Sequence, residues 1–363
     1  MAVRDEVFRL YASEVSYFSA KVRPAFRYKR VPHVELLATA AAYRSVIVPR
    51  TGLAMIPVVV TPEGDTWQDS SDILDALERR FPEPPLYPRS PVQRLASYLV
   101  EIWVDEFLVL PALHFRWSFP ESEAKARADF AATTGDGGRA QRFADAVKGF
   151  VRLTGVAAST APAIEAHTHD LLAILEAHLG EHPYLLGGRP SLADCALMGP
   201  LYAHLYLDAV PGRLLRERAP RVCHWIERMN HPDPDASGAW LADDALAPTL
   251  LRLLGLVGAD AVPPILACAR AVDDWADGAR PGEEPPRGVG THRTRLRGVE
   301  VERLTTSYTL WMVQRVLDVW TGLDAGARRA VDRALAGTGC EALLAHRPRH
   351  RVERRPFKLV LAR

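Results

Sequence analysis

The stretch from Leu10 to Pro82 constrains the fold most, because its apolar residues change period in a fixed order. VFRLYAS, which holds Leu10 and Tyr11, is a short apolar run of the kind that forms a buried strand. Phe18, Val22, Phe26 and Tyr28 then share one side of a helix. HVELLAT predicts a second strand, MIPVVV a third with Pro57 near its start, and DTWQDS a short fourth. Asp69, Ser70 and Ser71 offer caps for a helix carrying Ile73, Leu74 and Leu77. The predicted order is strand, helix, strand, irregular helix, strand, strand, helix.

Three landmarks inside this order resemble the thioredoxin-like half of glutathione S-transferases. Ser16-Tyr17-Phe18-Ser19-Ala20-Lys21-Val22-Arg23 is similar to the S-x-F-S-x-K-V-R turn that holds an active-site serine in that family. Ile56-Pro57 resembles the cis-proline before the third strand, and Asp69-Ser70 with Ile73 resembles the acid-serine pair that opens the third helix. The resemblance implies glutathione as co-substrate, bound by Ile56 and Pro57 along the cysteinyl backbone and by Asp69 and Ser70 at the γ-glutamyl end. The run VPRTGLAMIP departs from the family's usual approach to the proline, so the loop over the glycyl end is altered. Arg44 and Arg50 are both candidates for the glycyl carboxylate, with Arg50 the nearer to Pro57 in sequence.

The chemistry explains these residue types. A thiol attacks as the thiolate, which is the minor form near neutral pH. A hydroxyl at a helix start can donate to that sulfur, and the helix dipole favours the anion, as do cations such as Lys21 and Arg23. Ser16 is the leading catalytic candidate, with Tyr11 and Ser19 as substitutes. The plainer alternative for Ser16 is a helix cap. The same alternatives apply elsewhere: a trans proline at an edge strand for Pro57, and a cap without ligand for Asp69 and Ser70.

The chain has 363 residues, too many for one core of average size, with a formal net charge of +1. Nothing in that balance points to nucleic acid. No apolar run reaches membrane-spanning length, and MAVRDEVFRLY lacks a secretory pattern. Cys195, Cys223, Cys268 and Cys340 are too widely spaced for a zinc or redox motif, so no metal is expected and a cytoplasmic setting fits. No cysteine precedes position 195, which argues against an enzyme–glutathione mixed disulfide.

The proline-rich run FPEPPLYPRSP marks a linker. The expected units are a thioredoxin-like domain over 1–82, a linker over 83–91, an all-helical domain over 92–232 and an extension over 233–363. Ser90-Pro91 opens a long helix with Leu95, Leu99, Ile102, Trp103 and Phe107 on one side, kinked at Pro111. In the family this helix faces the first domain and a dimer partner, so a homodimer is implied. Its aromatic end, His114 and Trp117, would lie at the mouth for a small electrophile; core packing is the alternative. TTGDGG breaks the next helical pattern without phosphate-loop spacing. His178 and His182 lack a metalloprotease pattern. Ser191 and Asp194 form an S-x-x-D capping pair, similar to the one in the family's helical domain. The extension is expected to be mainly helical and packed on the helical domain, and its basic run HRPRHRVERRPFK to be a solvated charge run.

The fold expected is therefore an α/β thioredoxin-like domain, an all-α glutathione-transferase-like domain and a helical tail. The leading function is activation of glutathione for attack on a small electrophile, with no membrane partner. A glutathione-dependent isomerase and a non-catalytic ligand- or protein-binding module are the alternatives; the tail and the altered loop favour the module.

Overall fold

The computed structural model describes residues 7–363. Its first part runs β1 (Phe8–Ala12), α1 (Tyr17–Tyr28), β2 (His33–Leu37), α2 (Ala40–Ala42), a π turn over Tyr43–Ile47, α3 (Val48–Thr51), β3 (Val58–Val60), β4 (Thr66–Gln68) and α4 (Ser70–Arg80). The strands form one mixed sheet in the order β2-β1-β3-β4, with β1 parallel to β2 and antiparallel to β3. Side chains alternate across β1. Phe8, Leu10 and Ala12 pack with Val22, Phe26, Ile73 and Leu77 of α1 and α4. Tyr11 lies on the opposite face, against Ile47, Ile56 and Val58. This is a thioredoxin-like domain.

A helical domain follows, comprising α5 (Pro91–Glu106), α6 (Val109–Trp117), α7 (Pro120–Thr134), α8 (Gly137–Val151), α9 (Ala161–Glu181), α10 (Leu192–Pro200), α11 (Ala209–Arg218) and α12 (Pro220–Asn230). The break expected at Pro111 falls earlier, where Phe107 leaves helical geometry at φ −122°. Pro111 sits in the first turn of α6, where a missing amide costs no helical bond. At the start of α10 the capping box is complete, with the Ser191 amide donating to Asp194 Oδ2 at 2.9 Å. Asp194 also accepts from the Leu185 amide at 3.1 Å and from Trp225 Nε1 at 3.2 Å, so one buried carboxylate fixes the turn before α10 and the face of α12.

The remaining chain forms α13 (Pro248–Asp260), α14 (Val262–Ala276), the hairpin β5 (Gly288–Leu296) and β6 (Val299–Thr306), α15 (Ser307–Thr321), α16 (Ala325–Leu335), α17 (Glu341–Ala345) and the hairpin β7 (Val352–Arg355) and β8 (Lys358–Leu361). Two hairpins thus accompany the expected helices. α13 packs on α9, while α15 and α16 pack on α5. The basic run is largely exposed, as expected, but most of its cations are paired and Arg354 is half-buried. Arg349 pairs with Asp274 and Asp277, Arg351 with Asp318, Arg354 with Asp69 and Asp72, and Lys358 with Glu284. Among the described residues, no single helix is long and apolar enough to cross a membrane. No group of three or more His, Cys, Asp or Glu side chains among them converges as a metal site requires.

Candidate functional site at one end of the sheet

Register brings the three sequence landmarks together. Tyr11 on β1 pairs with Val58 on β3, which pairs with Gln68 on β4. The turn from β1 into α1, the approach to β3 and the step from β4 into α4 therefore meet at one end of the sheet. These segments carry Ser16, Ile56-Pro57 and Asp69-Ser70. The Ile56-Pro57 bond is cis.

Ser16 is the N-cap of α1, and its Oγ accepts from the Ser19 amide at 3.3 Å. Capping and thiol activation do not compete for the same part of this hydroxyl. The cap uses a lone pair, and the O–H remains free to donate. Ser16 is half-buried, whereas Ser19 is fully enclosed and its Oγ accepts from the Ser13 amide at 3.4 Å. Ser19 thus closes the 13–19 turn, out of reach of a ligand. Tyr11 packs on the sheet face opposite α1, in one apolar cluster with Ile56 and Val58.

The cations expected to assist Ser16 are engaged elsewhere. Lys21 Nζ donates to Ser71 Oγ at 2.9 Å, Glu101 Oε1 at 2.9 Å and Asp105 Oδ2 at 2.6 Å. Burial alone would lower the Lys21 pKa; the pull of Asp105 and then Glu101 raises it instead. Glu101 is held down to about 2: burial opposes this, but Arg315 and then Lys21 outweigh it. Burial pushes Asp105 up to about 6 despite Lys21, with Glu101 adding to the rise. Arg23 forks onto Glu35, with Nε at 2.8 Å and Nη2 at 2.6 Å. Both cations are neutralised, so they do not bias a nearby thiol toward its anion.

Arg50 departs further from expectation. Its Nη1 donates to the Gly64 carbonyl and to Thr66 Oγ1, both at 3.0 Å. Val60 pairs with Thr66, so this turn lies at the other end of β3 from Ile56. Arg50 braces the β3–β4 turn, and Arg44, exposed on the π turn, is the remaining candidate for a glycyl carboxylate. His114 and Trp117 are 2% and 4% exposed. His114 Nε2 meets Glu165 at 2.9 Å, and the neighbouring Phe115 and Phe119 rings stack. Both residues serve as packing of the helical core rather than as walls of an open mouth.

Asp69 caps α4 from a left-handed backbone conformation, φ 82° and ψ 130°. A non-glycine residue held there costs of order 1–3 kcal/mol, and such residues concentrate at functional positions. Its Oδ1 accepts from the Ser71 amide at 3.0 Å, the Asp72 amide at 3.4 Å and the Tyr308 hydroxyl at 2.9 Å. Its Oδ2 lies 2.9 Å from Arg354 Nη2. Arg354 Nε also donates to Asp72 Oδ2 at 2.6 Å. Beside it Ser70 is only 4% exposed. Tyr308 and Arg354 belong to the extension and were not anticipated. Only the basic character of HRPRHRVERRPFK marked the second of them, and its target carboxylates stand far away in sequence.

Comparison with known proteins bears on this arrangement. Residues 10–85 match the N-terminal domain of glutathione S-transferases, and residues 152–233 match their C-terminal domain. No curated protein matches significantly. Solved structures similar to the chain include a glutathione S-transferase from Methylobacterium radiotolerans in complex with glutathione sulfonate. It is 22% identical with TM-score 0.40, covering 66% of this chain and 99% of that one. The β-etherase LigF from Sphingobium sp. is 18% identical with TM-score 0.46, covering 62% and 95%. FzlA from C. crescentus is 20% identical with TM-score 0.42, covering 67% and 97%. The chain thus carries both domains of glutathione S-transferases, N-terminal then C-terminal, on the segments that hold the sheet and the capped helix α10.

Proposed function

We propose that the chain binds glutathione at the Ser16, Ile56 and Asp69 end of the sheet and activates its thiol for attack on a small electrophile. The observation that carries this is the convergence of a capping serine with a free O–H, a strand approach at Ile56 and the capped start of α4. The thiol proton leaves to solvent, and the sulfur lone pair forms the new bond as the electrophile's leaving group or π bond takes up an electron pair. With Lys21 and Arg23 already paired, the Ser16 hydroxyl and the N-terminal end of α1 are what remain to favour the thiolate. Cys195, Cys223, Cys268 and Cys340 are free and buried, which supports a reducing, cytoplasmic setting and leaves the external thiol as the nucleophile.

The test is Ser16→Ala. A charge-assisted hydrogen bond is worth about 1.5–3 kcal/mol, and one pKa unit corresponds to roughly 1.4 kcal/mol. The thiol pKa of bound glutathione should rise by about one to two units, with a smaller change in affinity. The measurement is thiolate absorbance against pH, and coincident curves for both proteins would leave Ser16 as a cap only. A second reading, a non-catalytic glutathione-transferase-like module, is favoured by one observation: Asp69 Oδ1 already accepts from Tyr308 and its Oδ2 is ion-paired with Arg354. Retention on immobilised glutathione without adduct formation across an electrophile panel would support it.

A further inference from the structure

We propose that Arg354 of the extension is a specificity-determining residue of this site: it holds the position that a ligand's ammonium group would have to take. The inference rests on the glutathione reading above. A carboxylate offers about four lone-pair directions. At Asp69 the Ser71 and Asp72 amides and the Tyr308 hydroxyl all converge on Oδ1, and Oδ2 faces the Arg354 guanidinium as an ion pair at 2.9 Å. A γ-glutamyl ammonium meets an already crowded Oδ1, and to reach Oδ2 it must displace a guanidinium that carries the same charge. Arg354 is well placed to resist. It is fixed by Asp72 at 2.6 Å, and its guanidinium lies 5.9 Å from the Tyr308 ring centre and 5.7 Å from that of Trp311.

The same geometry treats an anion differently. A guanidinium has five N–H donors, and those contacting Asp69 and Asp72 leave others unspent. A ligand with the γ-glutamyl carboxylate but no ammonium therefore avoids the competition and still meets a cation. The site as closed by the extension favours thiol peptides with an anionic head over those with a zwitterionic head. Glutathione binds only from the fraction of molecules in which Arg354 has released Asp69, and its apparent affinity falls by that fraction. Arg354 lies beside the turn Pro356-Phe357 that joins β7 to β8, in the part of the hairpin where Arg355 and Pro356 are exposed. Release there need not disturb the helices.

The experiment compares two probes by calorimetric titration of the full chain. One is glutathione; the other is glutaryl-cysteinyl-glycine, the same tripeptide without the ammonium. The wild type should bind the glutaryl peptide at least as tightly as glutathione. Arg354→Ala should bind glutathione tenfold or more tightly than wild type does, while the glutaryl peptide gains nothing, so the preference reverses. Tyr308→Phe, which frees one lone pair of Asp69 without removing a charge, should shift the ratio the same way by a smaller factor. It serves as the test if Arg354→Ala does not fold. An unchanged ratio of the two affinities in both variants would overturn the role of Arg354 and leave the glutathione site standing. Failure of every protein to bind either probe would overturn the glutathione reading and this inference with it.

Discussion

Replacing Lys21 with methionine separates a structural role for this cation from a catalytic one. Lys21 is 0% exposed, and Glu101 and Asp105 beside it are each 1% exposed, at 2.9 Å and 2.6 Å. Methionine keeps the volume and removes the charge. Glu101 retains Arg315 at 3.2 Å, so Asp105 becomes the uncompensated group. Removing one partner of a buried pair costs about 3–5 kcal/mol. Asp105 is already pushed up to about 6 by burial, and without Lys21 it rises further and takes a proton near neutral pH. That relief puts the expected loss at the low end, about 3 kcal/mol. Urea unfolding at pH 7 should show a lower midpoint with little change in slope. The deficit should shrink below pH 6, where a protonated Asp105 no longer needs the cation. A loss under about 1 kcal/mol, the size of an exposed pair, would refute the argument. It would mean that the ammonium does not compensate buried charge and is free to act on a thiol.

Two further outcomes follow from groups in the same region. Burial pushes Glu106 up to about 7 from an ordinary value of 4.5, against the hydrogen bond from Thr309. Its folded pKa is raised, so between roughly pH 4.5 and 7 the folded protein holds a proton that the unfolded chain releases, and stability falls as pH rises through that window. Buried histidines such as His167 and His204, whose pKa values burial lowers, act in the opposite sense over this range, so the readout is the difference between wild type and Glu106→Gln. In scanning fluorimetry the wild-type midpoint should gain on that of the variant between pH 8 and pH 6 by roughly a degree or two, and a difference that does not change with pH would contradict the assignment. The second concerns assembly: within Pro91–Glu106 only Arg94 is exposed, because α15 and α16 cover the helix that would face a dimer partner. Light scattering after gel filtration should give a monomer of 40.1 kDa, and a stable dimer would show that a second copy seats on another face.

What was legible in the sequence was local. The order of strands and helices from Leu10 to Pro82 follows from periods of two and 3.6 residues, which neighbouring residues set. The caps at Ser16, Asp69 and Ser191 are likewise short-range, with partners at most three residues away. What was not legible was where the charged side chains end. Lys21 and Arg23 sit in the right motif to activate a thiol, yet the acids that neutralise them come from α5 and β2. Arg50 is close to Pro57 in sequence, but the antiparallel step between β3 and β4 carries its partners Gly64 and Thr66 to the opposite end of the sheet. His114 and Trp117 look like a binding mouth because aromatic residues end a helix; burial against Glu165 and neighbouring rings is a tertiary fact without a local mark.

The extension shows the same limit in a form that bears on mechanism. It is tied to the rest of the chain by arginines that each bridge two carboxylates. Arg297 joins Asp170 and Asp260, Arg315 joins Asp75 and Glu101, and Arg354 joins Asp69 and Asp72. Buried pairs of this kind add little net stability relative to apolar packing, but losing one partner is costly, so they fix position more than they add strength. Their burial is graded. The Arg315 side chain is 8% exposed and its partner Glu101 1%, while Arg354 is 18% exposed and Asp72 30%. The cost of separating a charge pair falls as water reaches it. The contact at the start of α4 is thus cheaper to open than the one between α15 and α5. Farther along β7, Val352 is held by Gln314 through two bonds, at 2.7 Å and 3.0 Å. On the proposed reading, release of Asp69 by Arg354 would be local to the hairpin tip from Arg354 to Phe357, with Val352 as its root. A ligand that competes for Asp69 Oδ2 would then displace that tip, while Tyr308 of α15 keeps its bond to Oδ1.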